Sequence, residues 1–449
     1  MSAAEAQSAS AVPGAHRQGG EHEFRGVRTV DHFFTVPLRP AEPDGEQIEV
    51  FAREYGSSGR SREQHEQLPW LLFFQGGPGF PGNRWTGLSG WAKAATEHFR
   101  VLMLDQRGTG LSTPVEAKSL ASRGDAAAQA EYLSHFRQDS IVADAEAIRR
   151  ALGVAQWSLF GQSFGGWCSL AYLSTAPEAL REVLLTGGLA PLHGSPDRVY
   201  RATFRRIEAR NREYFGWYPE DRATVNRIAD HLRQVPEYLP RGDRLTVERF
   251  QMLGMYLGGN TRVDALHYLL EKAFITTPDG DRLSDWFLAQ LPAYLDFAGN
   301  PLYATIHESI YAQGEASDWS AWRVLQENPQ FSPDADEVLL TGEMIYPWLF
   351  EQDPSLQPLA EVAHILAGKT DWPRLFDREV LARNSVPVAA AVYADDVFVD
   401  HDLSLETAAA VRGTQTWVTP DFHHDGIADD GEAIFRRLLT MARDAAPES

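Results

Sequence analysis

Three short apolar segments of this chain each end in a glycine-rich loop, and this pattern restricts the fold more than any other feature. Segments that are apolar along their whole length are typical of strands buried on both faces, as in a parallel sheet. Helical patterns at 139–152 and 164–175 alternate with them, which predicts an α/β domain with right-handed crossovers. The segments and their loops are 68–74 with 75–79, 99–104 with 105–110, and 157–160 with 161–166.

Five further segments have strand character and extend the predicted sheet. The first two contain β-branched and aromatic residues in partial alternation, and a turn-rich stretch at 39–45 joins them. This arrangement predicts an antiparallel strand pair at the start of the domain. The five segments are 27–38, 47–55, 182–187, 386–393 and 414–418.

Long helical patterns without a convincing buried strand occupy the region between the early and the late strands. They include 200–214, 222–233 and 263–273, and a last helical pattern at 431–443 follows the final strand. The simplest interpretation is an α/β domain that is interrupted by a mostly helical insertion. We therefore expect a disordered tail at 1–24, an α/β core at 25–195, a helical cap domain at 196–383 and the rest of the core at 384–449.

Charge and cysteine content exclude several kinds of partner. The chain has 41 Lys and Arg residues against 62 Asp and Glu residues, a formal net charge of −21. Such a charge disfavours nucleic acids and anionic membranes, because both require a basic surface. The chain has one cysteine and therefore forms no internal disulfide, and its first residues lack the apolar core of a signal peptide. We expect a cytoplasmic location.

The residues at 161–165, Gly-Gln-Ser-Phe-Gly, match the G-x-S-x-G pattern of a nucleophile elbow. This pattern places a serine on a sharp turn between a strand and a helix, where small neighbours allow the chains to pass closely. An apolar segment precedes the motif and a helical pattern follows it, as the elbow requires. We predict that Ser163 is a nucleophile and that the amide of Phe164 faces the developing oxyanion.

A nucleophilic serine needs a base and an acid that orients the base, and the order Ser, Asp or Glu, His is expected along such a chain. Asp395 and Asp396 follow the strand pattern at 386–393, and His423 and His424 follow the one at 414–418. The residues alone leave both pairs open. The glycine-rich loop at 75–79 is expected to donate a second amide to the oxyanion. No metal-ligand spacing or phosphate-binding lysine motif is present, so we expect no metal and no cofactor.

Three motifs in one order resemble the prolyl aminopeptidases (proline iminopeptidases), in their longer-cap branch. They are Gly-Gly-Pro-Gly at 76–79, Asp-Gln-Arg-Gly-Thr-Gly-Leu-Ser at 105–112 and Gly-Gln-Ser-Phe-Gly-Gly at 161–166. The resemblance covers the chain from about residue 25. It implies an α/β-hydrolase fold, which is a mostly parallel twisted sheet flanked by helices, with a large, mainly helical cap inserted before the last strands. Gln75 departs from the family, which usually has His there.

The resemblance also implies a function for particular residues. Matching the family motifs assigns the catalytic serine, acid and histidine to Ser163, Asp396 and His424, and the oxyanion amides to Gly77 and Phe164. Asp396 matches because apolar residues follow it, and His424 matches because Asp and Gly follow it.

The implied activity is release of N-terminal proline from peptides through an acyl-enzyme. Recognition of the substrate ammonium requires carboxylates, and recognition of the proline ring requires apolar or aromatic walls. The resemblance assigns the amine to cap glutamates, for which the candidates are Glu308 and Glu343. The candidate ring pocket consists of Phe80, Trp85 and Trp167. Peptides with N-terminal proline are the expected partners.

Two other functions remain open from the sequence. An esterase, an amidase or a broader aminopeptidase would use the same serine machinery, and a non-catalytic binding protein would share the scaffold. The intact set of Ser, Asp and His disfavours the binding protein. The charge favours an amine substrate, because residues 271–380 contain 19 acidic and 6 basic residues and so carry −13 of the net −21. A negative field there would attract an N-terminal ammonium.

Overall fold

A computed structural model describes residues 15–260 and 262–445 of the chain. Within that part, nine strands form one sheet, and strands are numbered in chain order. They are β1 (His16–Phe24), β2 (Val27–Pro37), β3 (Gln47–Ser57), β4 (Trp70–Phe74), β5 (Arg100–Leu104), β6 (Trp157–Gln162), β7 (Leu180–Thr186), β12 (Val388–Tyr393) and β13 (Thr414–Thr419). Their order across the sheet is β1-β2-β3-β5-β4-β6-β7-β12-β13. The first three strands and the β3–β5 pair are antiparallel, and the remaining pairs are parallel.

The predicted strands are confirmed with small differences at their ends, and the continuous apolar segments have a simple cause. In β4, Leu72 and Phe74 belong to one apolar cluster, whereas Leu71 and Phe73 belong to a second. Successive side chains of a strand point to opposite faces, so the two clusters lie on the two faces of the sheet. A strand that is covered on both faces needs apolar residues at every position.

The strand β1 corrects the prediction of a disordered tail at 1–24. Residues 16–24 pair with β2 along its free edge, although most of their side chains are exposed. The ring of His16 stacks on Phe34 at 4.7 Å, and the guanidinium of Arg17 lies 4.0 Å from the ring centroid of Phe33. The strand was missed because edge pairing depends on backbone hydrogen bonds rather than on an apolar pattern. The remainder of the predicted tail, residues 1–14, lies outside the described residues.

Helices of the core cover both faces of the sheet. The predicted helices at 139–152 and 164–175 are confirmed as α5 (Gln138–Ala151) and α6 (Phe164–Thr175), which pack together, and α2 (Gly90–Thr96) packs with α19 (Gly426–Asp444). The last helix begins earlier than predicted, and non-helical angles at Asp430 interrupt it just before the predicted start. The helices of the core are α1 (Arg62–Glu66), α2 (Gly90–Thr96), α3 (Ala117–Ala121), α4 (Ala126–Leu133), α5 (Gln138–Ala151), α6 (Phe164–Thr175), α18 (His401–Ala410) and α19 (Gly426–Asp444).

Between β7 and β12 the chain is mostly helical. The predicted helices at 200–214 and 222–233 fall within α7 (Pro196–Trp217) and α8 (Pro219–Gln234), and the one at 263–273 overlaps α10 (Arg262–Leu270). Two short hairpins, β8 (Glu237–Tyr238) with β9 (Arg244–Leu245) and β10 (Phe274–Thr277) with β11 (Gly280–Leu283), were not predicted. The helices are α7 (Pro196–Trp217), α8 (Pro219–Gln234), α9 (Val247–Gln251), α10 (Arg262–Leu270), α11 (Asp285–Gln290), α12 (Pro292–Leu295), α13 (Pro301–Ile306), α14 (Ser320–Leu325), α15 (Leu349–Gln352), α16 (Ala360–Ala367) and α17 (Arg378–Ala382). The 3₁₀ helices are Pro177–Ala179, Met252–Gly258, His307–Ile310, Pro329–Phe331 and Gln357–Leu359.

No helix in the described ranges combines the length and the apolar composition that crossing a bilayer requires.

The predicted cap, residues 196–383, shares its apolar interior with the sheet. One continuous cluster contains Val183 and Leu185 of β7 together with Tyr200 and Phe204 of α7. The two parts are therefore packed against each other through buried side chains. The limits of the cap stay a prediction, because residues on both sides of each limit belong to this one cluster.

The parallel strands bring distant segments to one edge of the sheet. Ser163 follows β6 directly, Asp396 follows β12 and His424 follows β13. The carboxyl ends of parallel strands meet at the same edge, which is where open α/β sheets hold their sites. The fold therefore places these three residues at one edge although they are far apart in the chain.

The start of α6 passes very close to two neighbouring strand ends. A β-carbon on Gly165 would lie 2.0 Å from the carbonyl oxygen of Phe74, and one on Gly166 would lie 1.9 Å from that of Gly188. Backbone atoms at these positions cannot move aside without shifting the sheet. The turn that carries Ser163 therefore requires glycine at both positions.

We expect Gly165→Ala to lower the melting temperature sharply, because its methyl group would overlap the Phe74 carbonyl and cost about 3 kcal/mol, the upper end of the usual cost of overpacking. The control is Gly216→Ala in α7, where an added β-carbon meets open space. Alanine is the better helix former, so this variant should be up to about 1 kcal/mol more stable. Thermal unfolding of both variants measures the difference. Wild-type stability in Gly165→Ala would contradict the close approach.

Candidate active site

Ser163 lies on a strained turn between β6 and α6. Its φ is 54° and its ψ is −123°, a conformation that residues with a β-carbon rarely adopt. The residue is 8% exposed. Its Oγ lies 2.9 Å from Nε2 of His424. The turn thus presents the hydroxyl to a base, which is the geometry that a nucleophilic serine needs.

His424 connects Ser163 to a buried carboxylate. Its Nδ1 lies 2.9 Å from Oδ2 and 3.1 Å from Oδ1 of Asp396. Asp396 is 1% exposed, and its Oδ1 also accepts the backbone N–H groups of Phe398 and Val399. These bonds hold the carboxylate in place and assign the donating proton to Nδ1 of His424. Nε2 is then free to accept the hydroxyl proton of Ser163.

The structure distinguishes between the adjacent candidates that the residues alone left open. Asp395 is exposed, whereas Asp396 is buried against His424. His423 turns away, and its Nδ1 lies 3.1 Å from the backbone oxygen of Asp395. Burial lowers the pKa of His423, and a repulsion from Arg210 lowers it further. The geometry therefore brings together Ser163, His424 and Asp396, and their catalytic roles stay a prediction.

The surroundings of His424 favour its protonated form. Burial by itself lowers the pKa of this imidazole, but the charge of Asp396 and their hydrogen bond outweigh burial and raise the pKa above its usual value. The negative charge of Glu343 acts in the same direction. An imidazolium that forms when His424 takes a proton is therefore stabilised.

The glycine-rich loop after β4 lies between Ser163 and the cap. A β-carbon on Gly76 would lie 3.1 Å from Cβ of Ser163, so the loop touches the elbow directly. On its other side, a β-carbon on Gly79 would lie 2.7 Å from the backbone nitrogen of Tyr303. Gly79 has a φ of 80°, which also favours glycine. The assignment of the Gly77 and Phe164 amides to the oxyanion stays a prediction.

Glu343 is the cap carboxylate that interacts with these residues. Its Oε1 accepts a hydrogen bond of 2.6 Å from the Tyr303 hydroxyl, and the side chain is partly accessible. Desolvation of the carboxylate raises the pKa of Glu343 to about 6. The charge of His424 and the hydrogen bond from Tyr303 oppose this increase. Asp396 adds a smaller repulsion that raises the pKa further. Glu343 thus lies within electrostatic range of the group formed by Ser163, His424 and Asp396.

Glu308, the other predicted amine-binding residue, is engaged elsewhere. Its two carboxylate oxygens accept the backbone N–H groups of Ser320 and Ala321, at 3.0 and 2.8 Å, at the start of α14. The side chain is 7% exposed. Burial raises the pKa of Glu308 to about 7, although these amide hydrogen bonds oppose the shift. Glu308 therefore satisfies two backbone N–H groups at the start of helix α14.

Aromatic rings form a continuous series from the glycine-rich loop to α6. The ring centroids of Phe80 and Tyr303 are 5.4 Å apart, those of Tyr303 and His307 4.9 Å, and those of His307 and Tyr311 6.3 Å. Tyr311 lies 6.1 Å from Trp167, one helical turn after Ser163. Both ends of this series therefore flank the elbow, and the cap supplies its middle.

Three members of this series, Tyr303, His307 and Tyr311, were missed as site residues. They recur at intervals of four residues, a spacing that places side chains on one face of a helical segment. That periodicity was visible in the sequence and would have found them. Phe80 and Trp167, by contrast, were predicted as pocket residues and lie in the series.

Trp85 corrects the predicted pocket. Its ring lies 4.6 Å from Tyr55 and 4.9 Å from Trp91, and it packs against the cluster that contains Phe73 and Phe435. The series of rings beside Ser163 belongs to the other cluster, on the opposite face of the sheet. Trp85 is half-buried and therefore packs on the core, away from this series.

Among residues 15–260 and 262–445, no group of three or more His, Cys, Asp or Glu side chains has an arrangement that could hold a metal ion.

Comparisons with known proteins place this chain among hydrolases. A family described as alpha/beta hydrolase fold matches residues 69–229. The chain is 49% identical to the proline iminopeptidase of Aeromonas sobria over 422 residues, which are 93% of this chain and 97% of that protein. It is 35% identical to the proline iminopeptidase aneH of Aspergillus aculeatus, over 93% of this chain and 94% of that protein.

Among solved structures, the chain is similar to a proline iminopeptidase from Mycobacterium smegmatis. The TM-score is 0.44 at 14% identity, and the match covers 92% of this chain and 97% of that one.

We expect Asp396→Asn to lower kcat/KM by about three to four orders of magnitude, because an amide would favour the wrong tautomer of His424. Asp395→Asn is the matched control, since Asp395 is exposed and contributes its backbone oxygen to His423. It should stay within about twofold of wild type, which is the scatter of a surface substitution. Steady-state kinetics on one substrate compares the two variants. Equal losses would contradict the assignment of the acid.

Proposed function

The chain belongs to the proline iminopeptidase family of α/β hydrolases, and we propose that it is a serine aminopeptidase that releases N-terminal proline from peptides. The relatives named above carry that activity in their names. The catalytic residues we propose are Ser163, His424 and Asp396. Peptides with N-terminal proline are the substrates we propose, and the cytoplasm is the location we propose, because the chain has one cysteine and no internal disulfide.

The observation that carries this proposal is the carboxylate of Glu343, which lies within electrostatic range of His424 and Asp396. Within the described residues it accepts one hydrogen bond, from Tyr303, and it remains partly accessible. A carboxylate removed from bulk water is costly unless a cation or several donors face it. A substrate with an N-terminal ammonium would supply that cation. This supports an aminopeptidase over an esterase, whose substrates lack an ammonium.

The first half of the proposed reaction forms an acyl-enzyme. Oγ of Ser163 attacks the carbonyl carbon of the N-terminal proline while Nε2 of His424 takes the hydroxyl proton. The carbonyl oxygen gains negative charge, and the amides of Phe164 and Gly77 are proposed to donate hydrogen bonds to it. Asp396 stabilises the imidazolium. His424 then gives its proton to the departing nitrogen, the C–N bond breaks, and the shortened peptide leaves.

The second half releases proline by the reverse use of the same groups. A water molecule attacks the ester carbon, and His424 takes one proton from it. The bond to Oγ of Ser163 then breaks, and His424 returns the proton to that oxygen. Glu343 holds the ammonium through both halves, and this contact positions the carbonyl at the serine.

We propose that Phe80 and Trp167 form walls for the proline ring, together with the cap residues between them. The series of rings from Phe80 to Trp167 supports this, because it connects the two core segments on either side of Ser163. Glu308 contributes by capping α14, which follows the segment that carries His307 and Tyr311.

Hydrolysis of proline β-naphthylamide and of p-nitrophenyl acetate tests the proposed function. We expect the wild-type protein to release naphthylamine efficiently. The Ser163→Ala variant should lose at least about a thousandfold in kcat, because removing a catalytic nucleophile can cost up to about a millionfold. Strong ester turnover with little or no release of naphthylamine would instead show an esterase. Full activity in Ser163→Ala would contradict the serine mechanism.

We expect Glu343→Gln to raise KM for proline β-naphthylamide at least about tenfold, because a charged hydrogen bond of this kind contributes roughly 1.5 kcal/mol or more. In the wild type, Glu343 becomes neutral as the pH falls through about 6, so KM should rise there. In the variant, the part of this change that comes from Glu343 should be lost, and any remaining change reports the titration of His424, whose pKa is raised. KM measured against pH for both proteins checks this.

Glu308→Gln is the control for the Glu343 experiment, because it also removes one carboxylate from the cap. Its amide would face the backbone N–H groups at the start of α14 and should lower the melting temperature. The increase of KM below pH 6 should persist in this variant. If Glu308→Gln abolished that increase and Glu343→Gln did not, the assignment of the ammonium site would be reversed.

A further inference from the structure

Two adjacent residues of the core hold a single segment of the cap. The guanidinium of Arg137 donates to the backbone oxygens of Ser309 and Ala312, at 3.1 and 2.7 Å. The side-chain amide of Gln138 donates to the backbone oxygen of Ile310, at 2.8 Å. Three carbonyls within four residues of the cap are thus fixed from the start of α5.

The surroundings of Arg137 hold its guanidinium in a fixed position. It is 0% exposed, and its guanidinium carbon lies 4.4 Å from the ring centroid of Trp372. It also donates to the backbone oxygen of Pro373 at 3.2 Å and to the carboxylate of Asp139 at 3.1 Å. A planar guanidinium that donates in several fixed directions and stacks on a ring restrains its partners more than a single flexible donor does.

The segment that Arg137 and Gln138 hold carries two rings of the series that we propose as the proline pocket. It contains the 3₁₀ helix His307–Ile310 and then Tyr311, whose ring faces both Trp167 and Tyr200 at 6.1 Å. His307 in turn contacts Tyr303, the donor to Glu343. A shift of this segment would therefore move the walls of the proposed proline pocket and the partner of the proposed ammonium site.

We propose that Arg137 is a positioning residue for substrate binding, which acts by fixing the cap segment 307–312 against the core. This inference rests on the proposed function and deepens it. Arg137 contacts the cap backbone rather than the Ser163 group, so its contribution is to the binding of the N-terminal residue. Gln138 assists through the carbonyl between the two that Arg137 holds.

The test compares Arg137→Met, Gln138→Met and Arg249→Met on two substrates. Arg249 is a matched control, since it is 1% exposed and donates to Asp243 and to the backbone oxygen of Arg244, within another part of the cap. KM and kcat are measured separately for proline β-naphthylamide, and kcat/KM is measured for p-nitrophenyl acetate. Thermal unfolding reports the fold of each variant.

We expect Arg137→Met to raise KM for proline β-naphthylamide about tenfold and to change kcat by less than about threefold, since tenfold corresponds to roughly 1.4 kcal/mol of lost binding. Gln138→Met should raise KM about twofold to threefold, and Arg137→Lys should recover part of the loss. Ester turnover should change far less than KM for the amine. Arg249→Met should lower the melting temperature without raising KM.

Several results would overturn the inference. In a folded Arg137→Met variant, an unchanged KM would do so, as would a parallel fall of ester and naphthylamide turnover, which a general structural loss produces. If Arg137→Met does not fold, an unchanged KM in Gln138→Met overturns it. Absence of proline release by the wild-type protein would overturn the proposed function and this inference together, whereas the other results leave the proposed function intact.

Discussion

The close passage of α6 across the ends of β4 and β7 is the constraint on which the site depends. Gly165 and Gly166 bring the helix so near the carbonyls of Phe74 and Gly188 that no side chain fits between them. This contact holds Ser163 in a conformation that a residue with a β-carbon avoids. The strained turn in turn aims the hydroxyl at His424. The packing of α6 on the sheet therefore determines the orientation of Oγ of Ser163.

Glu308 and Glu343 of the cap differ in how their negative charge is compensated. Glu308 is buried but accepts two backbone amides, so its charge is compensated within the protein. Glu343 accepts the hydroxyl of Tyr303 and is balanced in part by the charge of His424. The Glu343 side chain stays partly accessible. The excess of acidic residues at 271–380 would add attraction for a cationic substrate over a longer range. The site that we propose therefore suits a positive charge next to a carbonyl group.

The sheet was predictable because its strands are covered on both faces, which leaves continuous apolar segments such as 68–74 and 99–104. The strand β1 was not, because its edge position requires backbone pairing and no apolar pattern. Ser163 was predictable from its motif and flanking elements. The residues alone could not separate Asp395 from Asp396, since neighbouring side chains in a loop differ in direction and the loop geometry is a tertiary property. Arg137 gave no signal, because its partners are carbonyls far along the chain.

The central claim is that recognition of a free N-terminal ammonium by Glu343 directs proline to Ser163. The most direct measurement compares kcat/KM for proline β-naphthylamide with that for its N-acetylated form, in which the nitrogen carries an acetyl group and no charge. The account predicts at least about a hundredfold lower kcat/KM for the acetylated substrate, because the carboxylate is then left facing an uncharged group. Comparable values for the two substrates would contradict it.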